Sequence, residues 1–200
     1  MVKPWARPCA SLTNATHHHP IRISLCARRS AASISMRTEL QVATPHDAVG
    51  LVALHTAAND ALTARFGDGP WSGHSSEKAV RFHMTRSTIY ILRRRAAIVA
   101  TFALSRRKPW AIDRSYYDSG EHPLYLTGMA VQPKHQRIGI GAAVLAELPG
   151  IVKSWPADSV RLCAFAGPAG AGDFYRKCGF REVRQASYKG TPHIYFDKLF

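Results

Sequence analysis

Residues 124–148 constrain the fold most strongly, because they join two apolar runs through a turn that contains glycine. The run 124–131 predicts a buried strand, and the run 142–148 predicts a helix that stops at Pro149 and Gly150. A turn of this kind presents unpaired backbone N–H groups and the positive end of a helix dipole to one point in space. The segment therefore predicts an anion site, best suited to phosphate.

The letters of this turn distinguish between known phosphate loops. A Walker loop needs a Gly-Lys-Ser/Thr ending, which this turn lacks, and a dinucleotide fingerprint needs a small residue where this chain has Val144. The pattern Gln/Arg-x-x-Gly-x-Gly/Ala is met by Gln136, Gly139 and Gly141. In this pattern the turn resembles the acetyl-CoA pyrophosphate loop of the GNAT superfamily of N-acetyltransferases. Taken alone, the same letters also fit an ordinary strand-to-helix turn.

A second segment strengthens the resemblance. The run 160–165 predicts another short buried strand, and a glycine-rich connection follows over 167–172. The next residues resemble the GNAT segment Ala-x-x-Phe-Tyr-x-Lys-x-Gly-Phe, matched here by Ala171, Phe174, Tyr175, Lys177, Gly179 and Phe180. Gly179 suits the position just after a helix, where φ is positive. We expect Phe174 and Phe180 to pack on the core while Tyr175 points the other way.

The resemblance covers residues 37–200, and it implies a fold. The expected class is α/β with the GNAT fold, in which a mixed central sheet of about six to seven strands is flanked by about four helices. Patterning alone predicts only a mixed α/β domain. Further strands are predicted at 39–42, 88–92, 96–104, 181–188 and 193–199, and further helices from a Thr44 cap to about Phe66 and over 76–85.

Residues 1–36 differ in composition from the rest of the chain. They are rich in Ser, Ala, Arg and His, and the first acidic residue of the chain is Glu39. Such a segment cannot bury enough apolar surface to order itself, and it lacks the apolar stretch of a secretory signal. An organelle transit peptide and non-native upstream sequence both fit, and we favour the second, with Met36 as the true start. We therefore expect a disordered or non-native extension over 1–36 and a GNAT domain over 37–200.

Charge and composition restrict the partners. The net charge is +14, with 27 Lys and Arg against 13 Asp and Glu, so the surface attracts anions, and coenzyme A is a sufficient one. Nucleic acid is not the expected partner, because the basic residues are scattered and form no known motif. The four cysteines have no metal-ligand spacing, and we expect no metal. No apolar run could span a bilayer. The cysteines fit reduced thiols, so we expect a cytoplasmic protein, and an exposed edge strand of the C-terminal hairpin would make a homodimer unsurprising.

The resemblance also implies how acetyl-CoA, the expected cosubstrate, is bound. The pantetheine arm would pair with the main chain of Met129, Ala130 and Val131, and the amide of Val131 foremost would polarise the thioester carbonyl as an oxyanion hole. The pyrophosphate would be held by the loop formed by Gln136, Arg137, Ile138, Gly139, Ile140, Gly141 and Ala142.

The implied reaction is direct transfer of the acetyl group to a primary amine in a ternary complex. Tyr175, with an ordinary pKa of about 10, would act as general acid to the CoA thiolate. Family members often place a glutamate base near the position of Tyr125, which is no base at neutral pH. The remaining candidates for the base are a chain of water molecules, Asp113, Asp118, Glu121 and His122. Trp110, Tyr116 and Tyr117 either line the acceptor pocket or pack within their own loop.

Two other functions fit the same residues. One is a catalytically inactive acyl-CoA-binding GNAT-like protein, which Tyr175 argues against. The other is a nucleic-acid-associated protein that uses the basic surface, and the missing motif argues against it. The identity of the acceptor amine does not follow from the sequence.

Overall fold

A computed structural model describes residues 40–200 of the chain, so the predictions for residues 1–36 lie outside the described residues. The seven strands are β1 (Leu40–Val42), β2 (Thr88–Arg94), β3 (Ala97–Ser105), β4 (Pro123–Val131), β5 (Ser159–Phe165), β6 (Arg181–Tyr188) and β7 (Thr191–Leu199). The α-helices are α1 (Ala48–Phe66), α2 (Glu77–Met84), α3 (Ile140–Ala146), α4 (Leu148–Ser154) and α5 (Gly172–Lys177). Their order agrees with the order predicted from the sequence, except that two helices, α3 and α4, stand where one was predicted.

All seven strands belong to one sheet, in the order β1-β2-β3-β4-β5-β7-β6. Strands β4 and β5 pair in parallel, whereas the other neighbouring pairs are antiparallel. Antiparallel neighbours need only short turns, whereas the parallel pair needs a crossover, which α3 and α4 provide. The sheet therefore has the predicted mixed character, and the phosphate loop predicted from the sequence follows the far end of β4, beyond its parallel pairing with β5.

Helices cover both faces of the sheet. The first face packs against α1 and α2 through a cluster that includes Leu51, Leu54, Val80, Ala103 and Ala130. The second face packs against α3, α4 and α5 through a larger cluster that includes Phe102, Leu124, Val144, Leu148, Tyr175 and Phe196. Both faces of the central strands are thus buried, which is why strands such as β3 are apolar without alternation.

The ends of the helices follow the local sequence. The N–H of Thr44 donates to the Asp47 carboxylate at 2.7 Å, and a short 3-10 turn over Pro45–Asp47 leads into α1. Helix α1 ends at Gly67, which has a φ of 78°. Ser76 caps α2 by accepting a hydrogen bond from the N–H of Ala79. Gly67 confirms the predicted stop of α1, whereas Thr44 precedes the 3-10 turn and α1 itself begins at Ala48, later than predicted.

One helix prediction was wrong. Pro149 and Gly150 do not end the helical region, because α3 ends at Ala146 and α4 begins at Leu148 and continues to Ser154. Proline is tolerated in the first turn of a helix, where its missing N–H would have had no partner in any case. Pro149 therefore marks the start of a second helix, and the predicted single helix is two short ones.

Candidate active site

The candidate site begins where β4 and β5 separate. The two strands pair only through Pro123–Tyr125 and Ser159–Arg161. Farther along β4, Gly128 and Met129 together face the single residue Phe102 of β3. This two-to-one pairing is a β-bulge, and Gly128 within it has a φ of 61°. A bulge bends the strand that carries the additional residue. The second half of β4 is therefore bent at the point where its pairing with β5 has ended, and an open edge results.

The direction of the amides along this open edge follows from one hydrogen bond. The N–H of Gln132 donates to the carbonyl of Val99, in the direction of β3. Because successive residues of a strand direct their backbone groups to opposite edges, the N–H of Val131 is directed to the β5 side. On that side the carbonyl of Val131 accepts a bond of 2.9 Å from the Gln136 side chain. Gln136 thus ties the strand to the loop that follows.

The loop itself carries a row of free donors. Within the described part of the chain, none of the six backbone N–H groups of residues 137–142 makes a hydrogen bond of ordinary geometry to another protein group. Arg137 has a φ of 61° and Gly139 a φ of 88°, and these turns direct the chain into α3. Successive free N–H groups at the start of a helix form a concave site for an anion such as a phosphate.

The two sequence motifs meet at Gly141. A Cβ added to Gly141 would lie 3.1 Å from the ring of Phe174 and 3.5 Å from the methyl group of Met129. Phe174 belongs to the second motif, and Met129 belongs to the open half of β4. The glycine thus allows close packing of the loop, α5 and β4, whereas a Cβ at Gly139 would meet no atom within 4 Å.

Tyr175 does not point away from Phe180, and this prediction was wrong. Its ring is 6% exposed and lies in the same core cluster, with centroid distances of 5.2 Å to Phe174, 5.6 Å to Phe180 and 5.8 Å to Phe196. Tyr175 is buried in this cluster and Phe174 is partly buried against it, whereas Asp173, Arg176 and Lys177 of the same helix are exposed. Burial, and then the neighbouring thiols of Cys163 and Cys178, raise the pKa of Tyr175, so the hydroxyl stays protonated.

The four residues considered as the base do not gather at the open edge. Glu121 and His122 directly precede β4, at the end where β4 and β5 are still joined. The Asp118 carboxylate accepts a bond of 2.8 Å from Arg181, and the Asp113 carboxylate accepts one of 2.9 Å from the N–H of Ser115. These partners lower the pKa of both aspartates. All four side chains are exposed, and the two aspartates have local structural partners.

A histidine on α1 lies closer to the bulge and was missed. A Cβ added to Gly128 would lie 3.8 Å from Cε1 of His55. Burial, and then the nearby His83 of α2, lower the pKa of His55, which favours the neutral imidazole. The signal was present in the sequence, because His55 follows the buried Leu51 by four residues and therefore shares the inner face of α1.

Aromatic residues lie in the connections around the sheet. Trp71, in the connection between α1 and α2, meets Phe165 at the end of β5 with a centroid distance of 5.8 Å. Of the aromatic residues considered for the acceptor pocket, Trp110 is 92% exposed, and Tyr116 packs edge-on against Tyr195 at 4.9 Å. Trp110 and Tyr116 line one cavity of about 520 Å³, whereas Tyr117 lines another.

Comparison with known proteins assigns the family. Residues 85–182 match the family model described as "Acetyltransferase (GNAT) domain", which includes both sequence motifs and the open half of β4. This chain belongs to the GNAT family. No curated protein matches the chain.

Solved structures with the same fold agree with this assignment. The ribosomal-protein-alanine N-acetyltransferase of Brucella melitensis is 18% identical, with a TM-score of 0.60 over 81% of this chain and 99% of that one. The PaiA N-acetyltransferase of Thermoplasma acidophilum, solved with coenzyme A, is 14% identical, with a TM-score of 0.60 over 81% and 98%. The putative acetyltransferase YncA of Salmonella typhimurium, solved with acetyl-CoA, is 11% identical, with a TM-score of 0.59 over 80% and 92%. At such identities the likeness concerns the fold, and it confirms the predicted GNAT fold.

Two further features concern residues 40–200 of this GNAT protein. No helix in that range is long and apolar enough to cross a membrane. The same range contains no group of three or more His, Cys, Asp or Glu side chains that could hold a metal ion. The cytoplasmic location, the homodimer and the absence of a nucleic-acid partner stay predictions.

Proposed function

We propose that this GNAT protein is an N-acetyltransferase that moves the acetyl group of acetyl-CoA to a primary amine by direct attack in a ternary complex. The observation that carries the proposal is the row of free N–H groups over 137–142 beside the unpaired edge of β4. One element suits a pyrophosphate and the other suits an extended amide-containing arm, and coenzyme A contains both.

The binding roles follow the geometry of the two elements. Arg137, Ile138, Gly139, Ile140, Gly141 and Ala142 would hold the pyrophosphate through their backbone N–H groups, with Gln136 fixing the loop to β4. Met129, Ala130 and Val131 would pair with the pantetheine arm. Because the N–H of Val131 is directed to the β5 side, it is the donor we assign to the thioester carbonyl oxygen as negative charge develops there.

Tyr175 is the proposed general acid. Its raised pKa ensures that the hydroxyl carries its proton at neutral pH. A thiol has an ordinary pKa of about 8.5, so full transfer from this tyrosine is uphill, and the main contribution is a hydrogen bond to the departing sulfur. The hydroxyl makes no hydrogen bond to another residue in the range 40–200, so it is available for that role.

His55 is the proposed base for the acceptor amine. An alkylamine has a pKa of about 10.4 and must lose a proton before it attacks. A neutral imidazole beside the bulge can accept that proton directly or through one water molecule. This residue replaces Asp113, Asp118, Glu121 and His122 in the proposal, because none of these four has been found beside the bulge.

The experiment that tests the function is a titration of the full chain with acetyl-CoA and with CoA, followed by a turnover assay with a panel of amines. Binding of both ligands, weakened by Gly139→Val, together with CoA release in the presence of one class of amine, would support the proposal. Binding without turnover of any amine would favour the alternative, a catalytically inactive acyl-CoA-binding protein. Absence of binding by the folded protein would refute both.

A further inference from the structure

A second concave site lies at the other end of β4. The cavity has a volume of about 390 Å³ and opens where β4 and β5 are still paired. It is lined by Arg106, Arg114, Tyr117, Gly120, Glu121, His122, Pro123, Tyr125 and Arg161. Three arginines and one glutamate line this cavity, and the Asp158 carboxylate beside it accepts hydrogen bonds from the N–H groups of Glu121 and His122. The cavity shares no residue with the loop assigned to the pyrophosphate.

Arg161 is a buried cation that has no carboxylate within ion-pair distance in the described part of the chain. It is 5% exposed, and its Nη2 donates to the carbonyls of Ser119 and Gly120, both at 2.7 Å. Asp197 faces Arg161 across the sheet, but Arg181 binds its carboxylate oxygens at 2.9 and 3.1 Å. A buried charge is costly unless an opposite charge compensates it. No carboxylate of the described residues therefore forms an ion pair with Arg161.

The polar atoms around Arg161 are unsatisfied in the same way. In the described range, four buried side-chain polar atoms have no hydrogen-bond partner, and three of them belong to residues that line this cavity. These are the hydroxyls of Tyr117 and Tyr125 and the Nε of Arg161. The Arg161 guanidinium also lies 4.4 Å from the centre of the Tyr117 ring, which holds the two side chains together. Buried polar groups normally have partners, so three unpartnered atoms on residues that line one cavity indicate a ligand.

We propose that this cavity binds an oxyanion, a carboxylate or a phosphate group, through Arg161, Arg114 and the two tyrosine hydroxyls. Arg114 forms no ion pair within the described range and lies at the cavity wall. An oxyanion accepts hydrogen bonds from guanidinium and hydroxyl donors and supplies the missing negative charge, so each orphaned group gains a partner.

The position of the cavity gives the oxyanion a role that rests on the proposed function. Thr127 lies opposite Ala103, which packs against α1, so Thr127 is on the face of the sheet that carries His55. Tyr125 lies two residues before Thr127 and opposite Ser105, so its side chain is on that same face. Gly128 follows Tyr125 by three positions along β4, which is roughly 10 Å at 3.3 Å per residue. The acceptor is therefore an amine that also carries a carboxylate or phosphate group, far enough from its nitrogen to span this stretch of β4.

The binding experiment titrates the full chain with inorganic phosphate and with acetate, each in the presence of saturating CoA so that the loop 136–142 is occupied. We expect saturable binding of at least one anion, and the tighter of the two identifies the ligand class. Arg114→Ala and Tyr125→Phe should each weaken that binding about tenfold, as expected for the loss of a charge-assisted hydrogen bond. Arg107→Ala removes the same charge from an exposed residue outside the cavity and should leave the affinity unchanged.

The activity experiment uses pairs of acceptors that differ only in a carboxylate and its neutral amide. Arg114→Ala should raise KM about tenfold for the carboxylate acceptor and leave KM for the amide unchanged. Equal effects on both acceptors would overturn the role in acceptor binding. Anion binding that is absent in the wild type, or equal in the Arg114→Ala and Arg107→Ala proteins, would overturn the site itself. If no amine is acetylated, the proposed function fails while the anion titration still decides the site.

Discussion

Replacing Tyr175 with phenylalanine separates chemistry from packing. The ring packs against Phe174, Phe180 and Phe196, and phenylalanine keeps those contacts. The hydroxyl has no protein partner in the range 40–200, so its removal breaks no hydrogen bond, and the free energy of unfolding should change by less than about 0.5 kcal/mol. If the hydroxyl assists the leaving thiolate, kcat should fall about 100-fold or more, with the Kd for acetyl-CoA unchanged.

Three measurements decide this case. CoA release gives kcat, calorimetric titration gives Kd, and urea denaturation gives the free energy of unfolding. Tyr90→Phe is the matched control, because the Tyr90 hydroxyl accepts a hydrogen bond from Trp155 at 3.2 Å, far from the motif residues in sequence. That variant should lose about 1 kcal/mol of stability and keep its activity. A Tyr175→Phe protein with normal stability and a kcat within about twofold of wild type would remove Tyr175 from the mechanism.

Gly139→Val should cost about 1–2 kcal/mol through backbone strain at a φ of 88°, and it should weaken CoA binding in calorimetry, whereas a stable variant with unchanged Kd would contradict the loop assignment. The kcat/KM of the wild type should fall as the pH drops below about 6.5, because His55, whose pKa is lowered, becomes protonated only in that acidic range. His55→Gln should be about 100-fold slower, and its kcat/KM should not show this acidic decrease. A variant that keeps the acidic decrease would exclude His55 as the base. Arg181→Met should destabilise the fold by about 3–5 kcal/mol in urea denaturation, because Asp197 is 1% exposed and would lose its ion pair, and a loss under about 1 kcal/mol would mean that the pair contributes little.

The sequence predicted the parts of the site that depend on local order. The loop 136–142 and the segment 171–180 each have a pattern that backbone chemistry explains, with glycine where φ is positive, as at Gly139 and Gly179. Their contact through Gly141 and Phe174 brings the two patterns together. Local order does not predict Pro149, because proline both ends one helix and suits the first turn of the next.

The rest of the site depends on contacts between distant segments. The bulge at Gly128 exists because β4 must remain paired with β3 while it bends, and no residue in β4 alone specifies the partner or the register. His55 becomes a candidate base only when α1 packs over that bulge. Arg161 is a basic residue in an apolar strand, and its lack of a counter-ion appears only when Asp197 is found bound to Arg181. Tyr175 was placed on the wrong side because a six-residue helix has no periodicity long enough to define a face.

The three-residue junction between β4 and β5 accounts for both proposed sites. The strands are joined at Pro123–Tyr125 and Ser159–Arg161, and there they bury each other's side chains. Arg161 is therefore held away from water beside Tyr125. Where they separate, β4 keeps its backbone groups available for a ligand. An acceptor with an amine at one end and an oxyanion at the other would be oriented by two interactions that a molecule with only one of these groups cannot make. Discrimination by the Arg161 cavity would therefore appear as a higher KM for acceptors that lack the anionic group, with little change in acetyl-CoA affinity.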